Sequence, residues 1–155
     1  ILGELDGLNS WLGICSIESK KIKKSKINFY QNILYIQNNI FIIQSQIAAK
    51  IFKIKSKHKI QQKNIDYLEK IIKIIDQKIP PIKKFIIPGG TKMSSYLDYA
   101  RTLTRKTERI CIKNDKKNII DQLIKVYLNR LSSFLFALAR YANFIYRIKE
   151  KKPSY

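Results

Sequence analysis

The chain has 155 residues, is 45% hydrophobic and carries a formal charge of +20. That length suits one domain over residues 1–155 that buries a core without disulfides or metal, and no uncharged apolar run of eighteen residues suggests a membrane span. Two cysteines, Cys15 and Cys111, fit no metal or redox spacing, so a reduced cytoplasmic setting is expected and no residue is assigned as a metal ligand.

The charge raises nucleic acid or an anionic membrane as partners. Against this stands the composition: 30 Ile beside one Val, with many Lys and Asn. Lysines are scattered through residues 20–26, 53–63 and 149–152. They do not gather on one face with interleaved aromatics, which favours a compositionally drifted, solvated surface over a nucleic-acid patch.

Periodicity predicts five helices and no strand. The first runs from the start to about residue 19, with Leu5, Leu8 and Leu12 on one stripe. The chain starts at Ile1, already in helix-like sequence, so further sequence is expected upstream. The second spans roughly 29–52, where Ile33, Ile36, Ile40, Ile43 and Ile47 recur every three or four residues as a core face. After a basic connector, Asn64 is the expected N-cap of a third helix over 65–79, which Pro80 and Pro81 stop. Thr91 is the expected cap of the fourth, over about 92–112. The fifth is expected over about 118–148, on a near-heptad seam from Ile120 through Leu131 to Ile145. Long antiparallel helices with short connections make an all-α bundle.

The fourth helix places Arg101, Arg105 and Glu108 at i, i+4 and i+7, hence on one face, with Arg109 one turn beyond Arg105. Guanidinium forks bind phosphate oxygens, and a carboxylate between them orients the forks or meets a ribose or metal. An ordinary exposed face with surface ion pairs carries the same residues. The turn Pro88-Gly89-Gly90 is no Walker A motif, because no Gly-Lys-Ser/Thr follows. On the fifth helix, Asn129 and Arg130 interrupt an apolar run, which calls for a buried network or an interface. His58, in a Lys-rich connector, is expected to be exposed.

Three motifs occur in order: Lys84-Phe-Ile-Ile-Pro-Gly-Gly, then Ala100-Arg-x-x-x-Arg-Lys-x-Glu-Arg, then Leu128-Asn-Arg-Leu-Ser-x-x-Leu-Phe-x-Leu-Ala-Arg-Tyr-Ala. Together they resemble the PduO-type ATP:corrinoid adenosyltransferases, as do Asn64-Ile-Asp-Tyr-Leu-Glu and Leu5-Asp6-Gly7-Leu8-Asn9-Ser10. The resemblance implies a five-helix bundle, assembled as a homotrimer with active sites at subunit interfaces. It also implies ATP with Mg2+ and cobalamin as ligands, with a corrinoid reductase as a partner. The implied reaction moves the 5′-deoxyadenosyl group of ATP to Co(I) with release of triphosphate; the corrinoid carries the hard chemistry and the protein positions it.

Carried over motif by motif, Phe85 matches the phenylalanine that displaces the dimethylbenzimidazole tail from cobalt, and Phe136 matches an aromatic lining the corrinoid cavity. Arg105, Glu108 and Asn129 match the ATP side. Asp6 and Arg101 match an inter-subunit salt bridge that shapes the ATP site. Gly7 stands where the family has Glu, Ser133 where it has Asp, and Lys106 where it has Arg. The family's Thr-Lys-x-Gly-Asp-x-Gly triphosphate loop would lie upstream of Ile1. Those departures favour one alternative to the enzyme, a non-catalytic relic that keeps the trimeric bundle and corrinoid pocket, and the net charge alone motivates another, a basic nucleic-acid-binding module.

Overall fold

A computed structural model describes residues 1–115 and 119–155. Among these the elements are five helices: α1 Leu2–Ser19, α2 Phe29–Ile51, α3 Gln62–Asp76, α4 Lys92–Asn114 and α5 Gln122–Ile145. No helix among the described residues is long and apolar enough to cross a membrane.

The expected stripes are the ones buried. Leu5, Leu8, Leu12 and Cys15 of α1 are fully enclosed, as are Ile33, Ile36, Ile40 and Ile43 of α2. On α5, Ile124, Tyr127, Leu131, Leu135, Leu138 and Ala142 are fully buried as well. Each such side chain contributes roughly 1.5–3 kcal/mol by leaving water, which outweighs the weak helix propensity of isoleucine. A second stripe on α2 was not foreseen: Asn32, Asn39 and Gln46, seven residues apart, are all buried. They persist in the core because each is bonded. Asn39 Nδ2 donates to the Tyr127 hydroxyl at 3.1 Å and Asn64 Nδ2 to Asn39 Oδ1 at 3.1 Å, joining α2, α3 and α5. Gln46 Oε1 accepts from Ile60 N at 3.0 Å.

The helix ends follow local chemistry. Asn28 Oδ1 caps α2 through Gln31 N at 3.0 Å, and Thr91 Oγ1 caps α4 through Ser94 N at 3.1 Å. The expected start of the third helix is corrected. Asn64 is not its N-cap but its third residue, and its Oδ1 reaches back to Gln61 N at 2.9 Å. The helix also ends earlier than expected, at Asp76, and residues 77–79 close it as a tight turn. For the fifth helix, the expected starting residue Asn118 lies outside the described residues; α5 begins at Gln122 behind an Asp121 cap. It stops at Ile145 because Arg147 turns left-handed (φ 57°) and Ile148 N bonds back to Asn143 O at 2.9 Å.

Pairings across the helices fix the layout. Glu4 pairs with Lys106 and Glu18 with Lys92, so α1 and α4 run antiparallel. Asn129 bonds Glu108 near one end of α5, while Asn143 bonds Thr91 near the other, so α4 and α5 are antiparallel too. α3 lies on the opposite flank of α5 and α2 packs on α1. The loop 80–91 thus returns over the last turns of α5.

Candidate active site

Two side chains of α5 hold that loop. Arg140, 8% exposed, donates from Nη2 to Pro80 O at 2.7 Å and grips Glu150 from Nε at 2.8 Å. One turn on, Asn143 takes both sides of the Gly89-Gly90 turn: its Oδ1 accepts from Thr91 N and its Nδ2 donates to Gly89 O, each at 2.8 Å. Gly89 and Gly90 have φ of 127° and 112°, and a Cβ on Gly90 would overlap the Asn143 carboxamide, so glycine is required there. Ile87 N also bonds Lys151 O at 2.9 Å, laying the C-terminal segment along the loop.

Held in this way, the loop presents Phe85 outward, 81% exposed. The side chain is one wall of a cavity of about 840 Å³ that also includes Ile82, Arg101, Arg105, Phe136 and Tyr155. A large exposed aromatic beside a concave apolar surface marks a place for a ligand or partner. Ser132, Ser133, Lys83, Lys84 and Lys152 supply the polar groups of the cavity. Ser133 Oγ accepts from Arg130 Nη2 at 2.6 Å, and Arg130 Nε faces Glu69 at 3.1 Å, so Arg130 is a strut between α5 and α3.

Arg101 stands between the loop and the cavity. Its guanidinium lies 5.7 Å from the Phe136 ring centre, a cation–π arrangement. Its Nε faces Asp98 Oδ1 at 3.6 Å, too far for a hydrogen bond, and this buried Nε has no other acceptor among the described residues. Burial pushes the Asp98 carboxyl above its ordinary range, opposed by the neighbouring Arg101 charge and the Gly89 backbone. Further along α4, Glu108 Oε1 accepts from Asn129 Nδ2 at 2.9 Å, joining α4 to α5.

The profile of the cobalamin adenosyltransferase family matches residues 1–142. The chain belongs to that family. It is 34% identical over 141 residues to a corrinoid adenosyltransferase of Bacillus subtilis, covering 91% of this chain and 72% of the relative. It is 32% identical to one of Citrobacter freundii, covering 89% of this chain and 76% of the relative. Among solved structures, a variant of the PduO-type ATP:corrinoid adenosyltransferase of Lactobacillus reuteri, complexed with cobalamin and ATP, superposes with a TM-score of 0.86. That structure is 33% identical, and the match covers 99% of this chain and 84% of that one.

Of the site residues expected from the sequence, Phe85, Arg101, Arg105 and Phe136 share one cavity. Glu108 and Asn129 are joined to each other but are not among its walls. Asp6 is exposed on α1 and, among the described residues, takes part in no ion pair. Sequence reasoning missed Arg140 and Asn143. The available signal was two polar residues three apart at the end of an apolar helix, the same kind of interruption that singled out Asn129 and Arg130.

Proposed function

We propose that this chain transfers the 5′-deoxyadenosyl group of ATP to the Co(I) form of a corrinoid. The cobalt electron pair attacks C5′ and becomes the Co–C bond, the C5′–O bond breaks, and triphosphate leaves with the electrons of that C–O bond. The observation that carries this reading is the single cavity walled by Phe85, Arg101, Arg105 and Phe136, which come from a loop and two helices.

Each residue has a task set by its chemistry. The Phe85 ring covers the lower axial face of the corrinoid and keeps both its base and water off cobalt. A cobalt without a lower donor accepts an electron more readily, so Co(I) is reached from Co(II) when a reductase supplies one. Phe136, stacked under Arg101, lines the apolar side. The planar fork of Arg105 takes phosphate oxygens and holds the leaving group as charge develops. Glu108 and Asn129 orient the nucleotide, and Glu108 is the carboxylate that meets Mg2+ carried in on the phosphates.

The reading extends to a homotrimer. Asp6, Ile14 and Ile17 are exposed along one face of α1, and Gly3 and Gly7 beside them leave open space. An Asp6 carboxylate from a second copy would meet the accessible end of the Arg101 guanidinium, whose side chain is 26% exposed in one protomer. A cytoplasmic setting agrees with two free, buried cysteines.

The test is anaerobic incubation of the full-length protein with ATP and chemically reduced cobalamin, followed by the absorbance of adenosylcobalamin. Product formation is expected; a folded sample that yields none sinks the proposal, and retained corrinoid binding would then point to a relic. Phe85→Ala is expected to lower turnover far more than ATP affinity, and equal losses in both would remove its assigned role.

A further inference from the structure

A second cavity, of about 510 Å³, lies beside the first and is not used by the chemistry above. The two share Ile82, Lys83, Lys84, Ile86 and Lys152, so one short piece of loop walls both. Its floor is apolar: Ile79, Pro80, Phe144 and Ile148, with Phe144 46% exposed and Ile148 42%. Its rim is cationic: Lys83, Lys84, Lys149 and Lys152. Glu150 is the one acid on its wall, and its carboxylate is already taken by Arg140 at 2.8 and 3.2 Å. An apolar floor with an unopposed basic rim suits a ligand that joins a flat apolar group to a single anionic phosphate.

We infer that this second cavity receives the nucleotide tail of the corrinoid after Phe85 has displaced it from cobalt. The inference rests on the proposed adenosyl transfer. Cobalamin's tail has the two required parts, an aromatic benzimidazole and a phosphodiester. A base forced off the lower face of the corrin next to Phe85 need pass only residues 82–86 to reach Phe144. The benzimidazole then lies on Phe144 and Ile148, and the phosphodiester meets the ammonium groups of Lys83 and Lys149. Holding the tail there opposes its return to cobalt, so the same loop that ejects the base also retains it.

Lys149 is the probe residue, because it is exposed, lines only the second cavity and belongs to none of the groups assigned to catalysis. Full-length wild type, Lys149→Glu and Lys149→Gln are titrated with Co(II) cobalamin and with Co(II) cobinamide, which lacks the nucleotide tail, in the presence of ATP. Circular dichroism confirms that each variant is folded. Wild type should bind cobalamin the more tightly. Lys149→Glu should weaken cobalamin about tenfold, the order expected for one charge-assisted contact, and Lys149→Gln by less. Cobinamide and ATP affinities should stay within about twofold, and the cobalamin difference should shrink at 1 M salt as the charges are screened. Equal loss for both corrinoids, or no loss for cobalamin, overturns the tail site. A weakened ATP affinity with cobalamin unchanged assigns the lysines to the triphosphate instead and also overturns it. If wild type binds neither corrinoid, the adenosyltransferase reading itself has failed, and the tail site with it.

Discussion

Replacing Asn143 by alanine removes the one side chain that bonds both flanks of the Gly89-Gly90 turn. Two hydrogen bonds of 2.8 Å are lost at a site only 5% exposed. Each is worth about 1 kcal/mol net, and leaving Thr91 N–H and Gly89 C=O partly shielded from water adds desolvation, so the total is roughly 2–4 kcal/mol. With a urea dependence of roughly 1–3 kcal/mol per molar, the unfolding midpoint should fall by about 1–2 M at unchanged slope. Protein concentration is held fixed, because an oligomer's stability depends on it. Asn143→Asp separates the two bonds. It keeps the acceptor for Thr91 but sets a carboxylate oxygen against Gly89 O, which raises the folded-state pKa above the unfolded value of about 3.9. The variant is then most stable below that value, where the protonated acid can donate, and loses stability as pH rises through the folded pKa. A midpoint shift equivalent to less than about 0.5 kcal/mol for Asn143→Ala would refute the clamp. The loop would then depend on Arg140 and on the Ile87–Lys151 bond alone.

Three further outcomes are expected. Tyr127→Phe strands the Asn39 amide in the core, costing about 1–3 kcal/mol and lowering the thermal midpoint; an unchanged midpoint would mean that water reaches the network. Burial raises the Cys15 thiol to about 12 and Cys111 to about 11. At pH 8 the thiolate fractions are then only about 10⁻⁴ and 10⁻³, so Ellman's reagent should label neither until denaturant is added, and prompt labelling of the native protein would contradict this. Asp115 is held below its ordinary range, first by its bond with Lys125 and also by the amides of Ile119 and Ile120. Asp115→Asn should therefore lower stability fully above about pH 4, with the gap to wild type closing as pH falls through the folded pKa; a gap independent of pH would refute the assignment.

The fold was legible because isoleucine and leucine recur at helical spacing wherever a helix faces the core. Those positions are read by hydrophobicity alone. The buried Asn32, Asn39 and Gln46 were not legible as a bonded set, because in a chain rich in Asn and Gln most of their partners are distant in sequence. Helical spacing sets Asn39, three residues after Ile36, closer to the apolar stripe than the exposed Asn38, but it does not name Tyr127 as its partner. The same limit moved the start of α3: Asn64 has the chemistry of a cap, but its amide is drawn into the network with Asn39 and Tyr35, so Gln61 becomes the cap. For the site, the helical spacing of Arg101 and Arg105 already put them on one face. Their meeting with Phe85 required the 80–91 loop to fold back over α5, which no spacing encodes.

That return explains why the two halves of the site differ in how far one protomer builds them. The proposed corrinoid side inherits the rigidity of the bundle. Phe85 is carried by a loop tied at Pro80 and at Gly89, and both ties come from consecutive turns of the most buried helix. Among the described residues, the proposed nucleotide side has the Glu108–Asn129 bond and no ion pair from Arg105. Arg101 lies at the boundary: its buried Nε has no acceptor among the described residues, while the side chain as a whole is 26% exposed. A carboxylate arriving with a second copy would meet the exposed end of that guanidinium, and such a charge-assisted pair would favour assembly. A pocket finished by assembly would tie nucleotide binding to oligomerisation while leaving the corrinoid wall intact in each protomer.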